Sequence, residues 1–381
     1  MKLRKIFLAT LFSTLVLSGC NVFAPQEDPD EPVPYATQEQ WSSNPPSQTN
    51  SNVQVIVEDD STPPKPGMVR SPLTNEWIDE ETAGQRPIAV MIPNESAALP
   101  QYNLSEASVL YEANVEGKIT RLMAIYEDWQ NLKRIGNIRS TRTYYAYWAF
   151  EWDAFLVHYG GPYYINDLMD QEETENIDGL SGAGDAFYRT KDRLEPHNVY
   201  TDGSLLLEQI TSDGYSLSYR HLTDDGHFQF TDKANPNALT QYKDAAQNAT
   251  YIDLSGSYPL TRCYFEYNED DGLYYRYQHL SGASDEPHTD ASGTQLSFKN
   301  VLVQFVKQEV LDDRGYLVLQ CHDDTRDGWF FTNGKGIHVN WKKGSDYDAT
   351  RYYDDNGDEV VLNTGKTMIC IVNENDSFTF R

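Results

Sequence analysis

Residues 138–142 read IRSTR, so Arg139 and Arg142 flank Ser140 and Thr141 with no carboxylate between them. A guanidinium is planar, permanently charged and rich in donors, and a pair of them matches the oxygens of a carboxylate, sulfate or phosphate. From Lys118 to Arg142 the chain carries six basic residues (Lys118, Arg121, Lys133, Arg134, Arg139, Arg142) against Glu127 and Asp128. That is a local +4 in a chain of formal net charge −28. Two readings stay open. Arg121, Arg139 and Arg142 bind an anion with Ser140 beside them, or Glu112, Glu116 and Asp153 neutralise each arginine internally, as buried arginines require.

Further polar candidates surround this stretch. His158 stands in VHYGG before Tyr159 and two glycines, and His197-Asn198 stands in EPHNVY. Two histidines and an acid within hydrogen-bond reach would permit general acid–base catalysis; a structural histidine at each position is the alternative. Ser140 lacks the Gly-x-Ser-x-Gly or Ser-x-x-Lys setting of a known serine nucleophile. Asn94 in MIPNES and Asp185 in GAGDAF are weaker candidates. Gly182-Ala183-Gly184 has neither the spacing nor the lysine of a phosphate loop. The acidic runs DDTRDG and DYDATRYYDDNGDE lack a calcium-loop pattern. No metal spacing and no cofactor motif is present, so no metal and no cofactor is expected.

These residues must be positioned by the elements around them. RPIAVMI (86–92), SVLYEANVE (108–116), RLMAIYE (121–127) and AFLVHYG (154–160) have the β-branched and aromatic content of strands. Asn103–Ala107 reads as a short helical turn. A cap at Ser140 or Thr141 would start a helix over TRTYYAYWAFEW, and its N-terminal N–H groups would then face the arginines. TDGSLLLEQI (201–210) reads as a second helix. Past residue 220, aromatic alternating runs lie either side of Asp270-Asp271-Gly272 and Asp313-Arg314-Gly315. Asn333-Gly334 and Asn356-Gly357 signal type I′ hairpins. The fold class expected is α+β. A layered α/β domain with a mixed sheet spans 85–220, and a mainly antiparallel β domain spans 221–381. Its tyrosines and tryptophans serve either as cross-strand pairs or as a platform for glycans.

The chain opens MKLRKIFLATLFSTLVLSGC: a basic start, an apolar run too short for a membrane span, and small residues before Cys20. This is a secretory signal over 1–19. Leu17-Ser18-Gly19-Cys20 resembles a bacterial lipobox, in which Cys20 receives the lipid. Losing the leader, with Lys2, Arg4 and Lys5, takes the charge from −28 to −31. A field so negative repels nucleic acid, so no nucleic-acid partner is expected. Residues 20–84, rich in Pro, Ser, Gln and acid, read as a disordered tether, with Val53–Val57 an isolated apolar patch. Within it, Ser71–Thr74 and Trp77 are where docking on the folded body begins. Cys263, Cys321 and Cys370 permit one bridge or three buried thiols.

Taken together, RPIAVMIPN, LSEASVLYEANVEGKITRLMAIYE, IGNIRSTRTYY, DAFLVHYGG and EPHNVYT resemble the YerB-like family of bacterial lipoproteins. GKGIHVNWKKG, with its Trp341-Lys342 pair, and RYYDDNGDEVVLNTGKTMICIV are similar to the family's second domain. Asn137, Ile138 and Thr143 stand where that pattern usually has Pro, Val and Pro, and Lys118 replaces a glycine. The resemblance implies two domains, a lipid anchor on the outer face of a bacterial cytoplasmic membrane, and no particular activity. Three functions are therefore weighed. The first is binding of a cell-wall glycan, a peptide carboxylate or an envelope protein through Arg121, Arg139 and Arg142, with Tyr144, Tyr145 and Tyr159 stacking beside them. The second is a cell-wall-polymer hydrolase or transferase using His158 or His197. The third is a structural scaffold.

Overall fold

The computed structural model describes residues 60–221, 226–280 and 285–381. The leader, Cys20 and Val53–Val57 lie outside the described residues. The first segment supplies β1 (Ile88–Pro93), β2 (Val109–Asn114), β3 (Thr120–Tyr126), β4 (Phe155–His158) and β5 (Asn176–Asp178). Every residue of β1 to β4 is buried, because both faces of these strands are covered, and their sequences are accordingly near-continuous apolar runs. The C-terminal part of the chain, residues 285–381, adds β6 (Asn300–Val306), β7 (Asp323–Thr332), β8 (Lys335–Lys343) and β9 (Thr367–Asn373).

All nine strands belong to one mixed sheet of eleven, in the order β8-β7-β6-β9-β2-β3-β1-β4-β5, completed by Gln247–Asn248 and Arg351–Tyr353 on β8. The seam between the two segments is the parallel pairing of β2 with β9, Val109 opposite Thr367 through Ala113 opposite Ile371. Pairings β6–β9, β1–β4 and β4–β5 are parallel as well. The expected hairpin at Asn333-Gly334 forms, with both residues at positive φ (47° and 70°). At 356–357 only Gly357 has positive φ, and Asp354 Oδ1 instead accepts from the N–H groups of Asn356 and Asp358, which makes a wider turn.

Two helices of eight residues or more flank the sheet among the described residues, α1 (Thr143–Phe150) and α2 (Gly203–Ser212). Asp202 caps α2 by accepting from the Leu205 N–H at 3.0 Å. The helix expected from Ser140 or Thr141 begins instead at Thr143, with Arg142 at the cap position and no side-chain cap. The preceding backbone is already committed. Arg139 N–H donates to Met91 O, Tyr159 N–H to Arg139 O, and Thr141 N–H to Gly160 O, so 139–141 runs as extended chain beside β1 and β4. On the α1 face, Tyr144, Tyr145 and Trp148 pack with Met91, Tyr111 and Met123. The other face carries Leu110, Leu122, α2 and a smaller sheet that includes Tyr251–Asp253, Tyr264–Asn268 and Leu273–Gln278. On that sheet's outer face Tyr264 and Tyr277 stack on each other (5.0 Å, 5°), the cross-strand pairing of the two readings.

The tether expected to run to residue 84 ends earlier. Met68–Arg70 pairs with Trp77–Asp79, and Leu73 is buried between them. Arg70 lies 3.9 Å over the Trp77 ring. Ser71 Oγ accepts from the Leu73 and Thr74 N–H groups and donates to the buried Glu127 carboxylate, which docks this hairpin on β3. The three thiols, Cys263, Cys321 and Cys370, are free and buried. Burial, with Asp128 and Glu76 nearby, pushes the Glu127 carboxyl up to about 7. A carboxyl raised in the folded state binds its proton more tightly than the unfolded chain does. Stability is therefore lost as pH rises from the unfolded value, near 4.5, through 7. Relative to Glu127→Gln, the native protein should lose roughly 1–3 kcal/mol between pH 5 and pH 8. Denaturant melts of both proteins at the two pH values check this; parallel pH profiles would remove Glu127 as the cause.

Candidate functional site

β1, β2 and β4 run the same way and β3 runs against them. Their ends therefore gather Asn94 and Glu95 after β1, Glu116 after β2, Tyr159 after β4 and Arg121 at the start of β3 on one edge of the sheet. Open sheets with parallel strands commonly bind ligands at the carboxyl ends of those strands. Arg121 lies in register between Pro93 and Ala113. Strand alternation sends it to the α1 face with Met123, and sends Glu112 to the opposite face with Leu110.

Alternation settles which carboxylates reach the arginines. Glu112 pairs with Arg276 of the smaller sheet (2.8 Å, both side chains fully buried) and does not meet the arginines of 121–142. Asp153 pairs with Arg86 and Arg220. Glu116 holds Arg142 in a two-pronged pair, Nε to Oε1 at 2.7 Å and Nη2 to Oε2 at 2.5 Å. Burial opposes both charges, yet the pair outweighs it: Arg142 is raised and Glu116 lowered from their ordinary values.

Arg121 and Arg139 are different. Arg121 is 3 % exposed, its Nη1 donates to the Ser140 carbonyl (2.7 Å) and hydroxyl (3.2 Å), and its Nε is buried without a partner. Neither Arg121 nor Arg139 forms an ion pair among the described residues, and the Arg139 Nε is likewise buried and unpartnered. Burial, then Arg142 and Arg139, pull the Arg121 charge down to about 10. Arg139 is lowered by burial and Arg142, against the pull of Glu95. Ser140 Oγ also accepts from Arg142 Nη1 at 3.0 Å. With both lone pairs engaged by guanidinium donors, its own proton is left to donate elsewhere.

His197 joins this group. Its Nε2 lies 3.2 Å from Glu95 Oε2 and its Nδ1 is buried without a partner. Burial lowers its pKa, and Arg139, Arg193 and Arg121 add to that against Glu95. Tyr316 places its ring 5.4 Å from the Arg142 guanidinium and stacks edge-on with Tyr164, whose hydroxyl is buried and unpartnered.

The remaining predicted residues sit apart. His158 Nδ1 faces Gly160 O (2.9 Å) and Nε2 faces Asn176 Oδ1 (3.1 Å), so both ring nitrogens are occupied. Asn198 accepts from Arg189 and donates to Thr190 O. Tyr159 packs edge-on to Phe187 under Arg189. Asp185 lies exposed in a 3-10 turn, and Asn94 donates to Glu112 and Thr120. Tyr144 and Tyr145, expected to stack beside a ligand, are core residues whose hydroxyls donate to Asn114 O and Arg121 O. Sequence reasoning passed over Glu95, although it directly follows Asn94. It also missed Arg276, although the inward positions of LYYRYQ are Tyr274, Arg276 and Gln278.

Residues 73–216 match the family described as "Protein of unknown function (DUF3048) N-terminal domain", and 252–369 match its C-terminal domain. The chain belongs to this family, the group of YerB-like proteins. It is 25 % identical over 286 residues to "Putative lipoprotein YerB" of Bacillus subtilis, covering 74 % of this chain and 81 % of that one. A crystal structure of the Bacillus subtilis YerB protein shares the fold, with a TM-score of 0.68 at 24 % identity over 82 % of this chain and 99 % of that one.

A buried guanidinium without a counter-ion costs stability, whereas one in a buried pair cannot be removed without stranding its partner. Arg121→Met should therefore leave the melting midpoint unchanged or raise it. Arg276→Met, which abandons Glu112, should lose roughly 3–5 kcal/mol. Denaturant unfolding of the two variants checks the contrast; equal losses would assign Arg121 a structural role.

Proposed function

We propose that this chain is a lipid-anchored envelope protein that binds a carboxylate-bearing cell-wall ligand, such as a peptide carboxylate, at Arg121, Arg139 and Ser140. The observation that carries this is Arg121: buried, charged, held in place by Ser140, and without a carboxylate of its own. Evolution tolerates such a charge where a ligand supplies the missing anion, because burial strengthens that contact. Arg142 with Glu116 positions Ser140, and the Tyr164–Tyr316 pair walls one side. The lipobox, the short apolar leader and the name of the Bacillus subtilis relative support a lipid on Cys20 and attachment to the outer face of the cytoplasmic membrane. The acidic segment ahead of the folded body would then act as a spacer. The two sequence segments serve as N- and C-terminal domains joined through the β2–β9 seam.

Calorimetric titration with soluble muropeptides tests the site. Arg139→Ala and Arg121→Met should each weaken binding at least about tenfold, since each removes charge-assisted bonds to the ligand. Ser140→Ala should weaken it about threefold, and His158→Gln should not change it. Undiminished binding in both arginine variants would exclude this site. For the anchor, Cys20→Ser should move the protein from the membrane fraction to the soluble fraction, and loss of metabolic palmitate labelling should accompany it.

A further inference from the structure

We infer that Glu95 is a specificity-determining residue that restricts the arginine site to singly charged oxyanions. This rests on the anion-binding reading above. The charges nearest the site are Arg121, Arg139 and Arg142 on one side and Glu116 and Glu95 on the other. Arg142 and Glu116 cancel in their direct pair. Arg193 keeps its charge but lies off to the side, on the Ala98 and Pro100 carbonyls, where it acts on His197; the charges that act on Arg139 are those of Glu95 and Arg142. Two guanidiniums and the Glu95 carboxylate then leave a local excess of one positive charge. Glu95 is held by His197 Nε2 at 3.2 Å, is only partly exposed (26 % of its side chain), and acts on Arg139. His197, partly buried and beside the arginines, is held toward its neutral form, so the Glu95 charge is not cancelled locally.

Attraction to the site grows in proportion to the ligand's charge, but the cost of taking that ligand out of water grows as the square of its charge. An excess of one positive charge therefore suits a carboxylate or a phosphodiester, and a sulfate or phosphate monoester would leave an uncompensated negative charge beside Glu95. Removing the Glu95 charge should strengthen binding of any anion, and the free-energy gain should double for a dianion. The fold-gain for a dianion should then be about the square of that for a monoanion.

Titrate the native protein and Glu95→Gln with sodium acetate, sodium sulfate and dimethyl phosphate at constant ionic strength and pH 7.5, following backbone amide shifts of Arg139 and Ser140. The native protein should prefer acetate to sulfate. Glu95→Gln should gain about 3-fold for acetate and about 10-fold for sulfate. Dimethyl phosphate, tetrahedral but singly charged, should follow acetate in this response. Its affinity relative to acetate then separates a phosphodiester ligand from a carboxylate. Equal gains for acetate and sulfate, or none, would overturn the role of Glu95 while leaving the site intact. No response to any anion in either protein would overturn both the site and this inference, and Arg139→Ala serves as the non-binding reference.

Discussion

The parallel pairing of β2 with β9 is the contact on which the rest of the structure depends. It fuses two stretches of chain more than 250 residues apart into one sheet. It also brings the smaller sheet down onto the face that carries Glu112. Tyr258 clasps the seam directly, its hydroxyl within hydrogen-bond distance of Glu112 O and Ile371 O at 2.9 and 2.8 Å. Arg276 then pairs with the Glu112 side chain beneath. Both groups are fully buried, so neither can leave without stranding the other.

That arrangement decides the chemistry of the opposite face. Glu112 is consumed in holding the smaller sheet, and Asp153 in holding Arg86 and Arg220. Among the described residues Glu116 forms the one ion pair with the three arginines at the strand ends, with Arg142, while Glu95 beside them contacts His197. The charge imbalance around Arg121 follows in part from sheet geometry, because period-two alternation sends Arg121 and Glu112 to opposite faces. Ser140 ties the group together, because its hydroxyl and carbonyl accept from the Arg121 guanidinium while its own proton stays available.

Much of the local structure was legible in the sequence. Ile88–Pro93, Val109–Asn114, Thr120–Tyr126 and Phe155–His158 follow the apolar and β-branched runs, and α2 (Gly203–Ser212) follows the helical reading of TDGSLLLEQI. The I′ turn at Asn333-Gly334 was legible for the same reason, since few residues tolerate both positive φ values. The helix start was not. Ser140 has the residue type of a cap, but the backbone of 139–141 bonds to Met91 and Gly160, which are remote in the chain. Tertiary pairing overrode local propensity. Membership of the YerB-like family was legible from the motifs, and the matches over 73–216 and 252–369 agree with it. Within the site, the arginines stood out by composition. Their partners did not, because Glu112 and Glu116 lie only four residues apart in sequence and end on different business: one on a strand facing away, the other in the turn that follows.

The guanidinium groups themselves can be observed directly. Arginine Nε–H resonances, assigned by single substitutions, can be followed while sodium acetate is added. Arg121 and Arg139 should shift together along one saturating curve while Arg142 and Arg276, each already paired with a glutamate, stay near their starting positions. Arg121 and Arg139 remaining still, or all four arginines drifting in parallel without saturation, would contradict anion binding at this site.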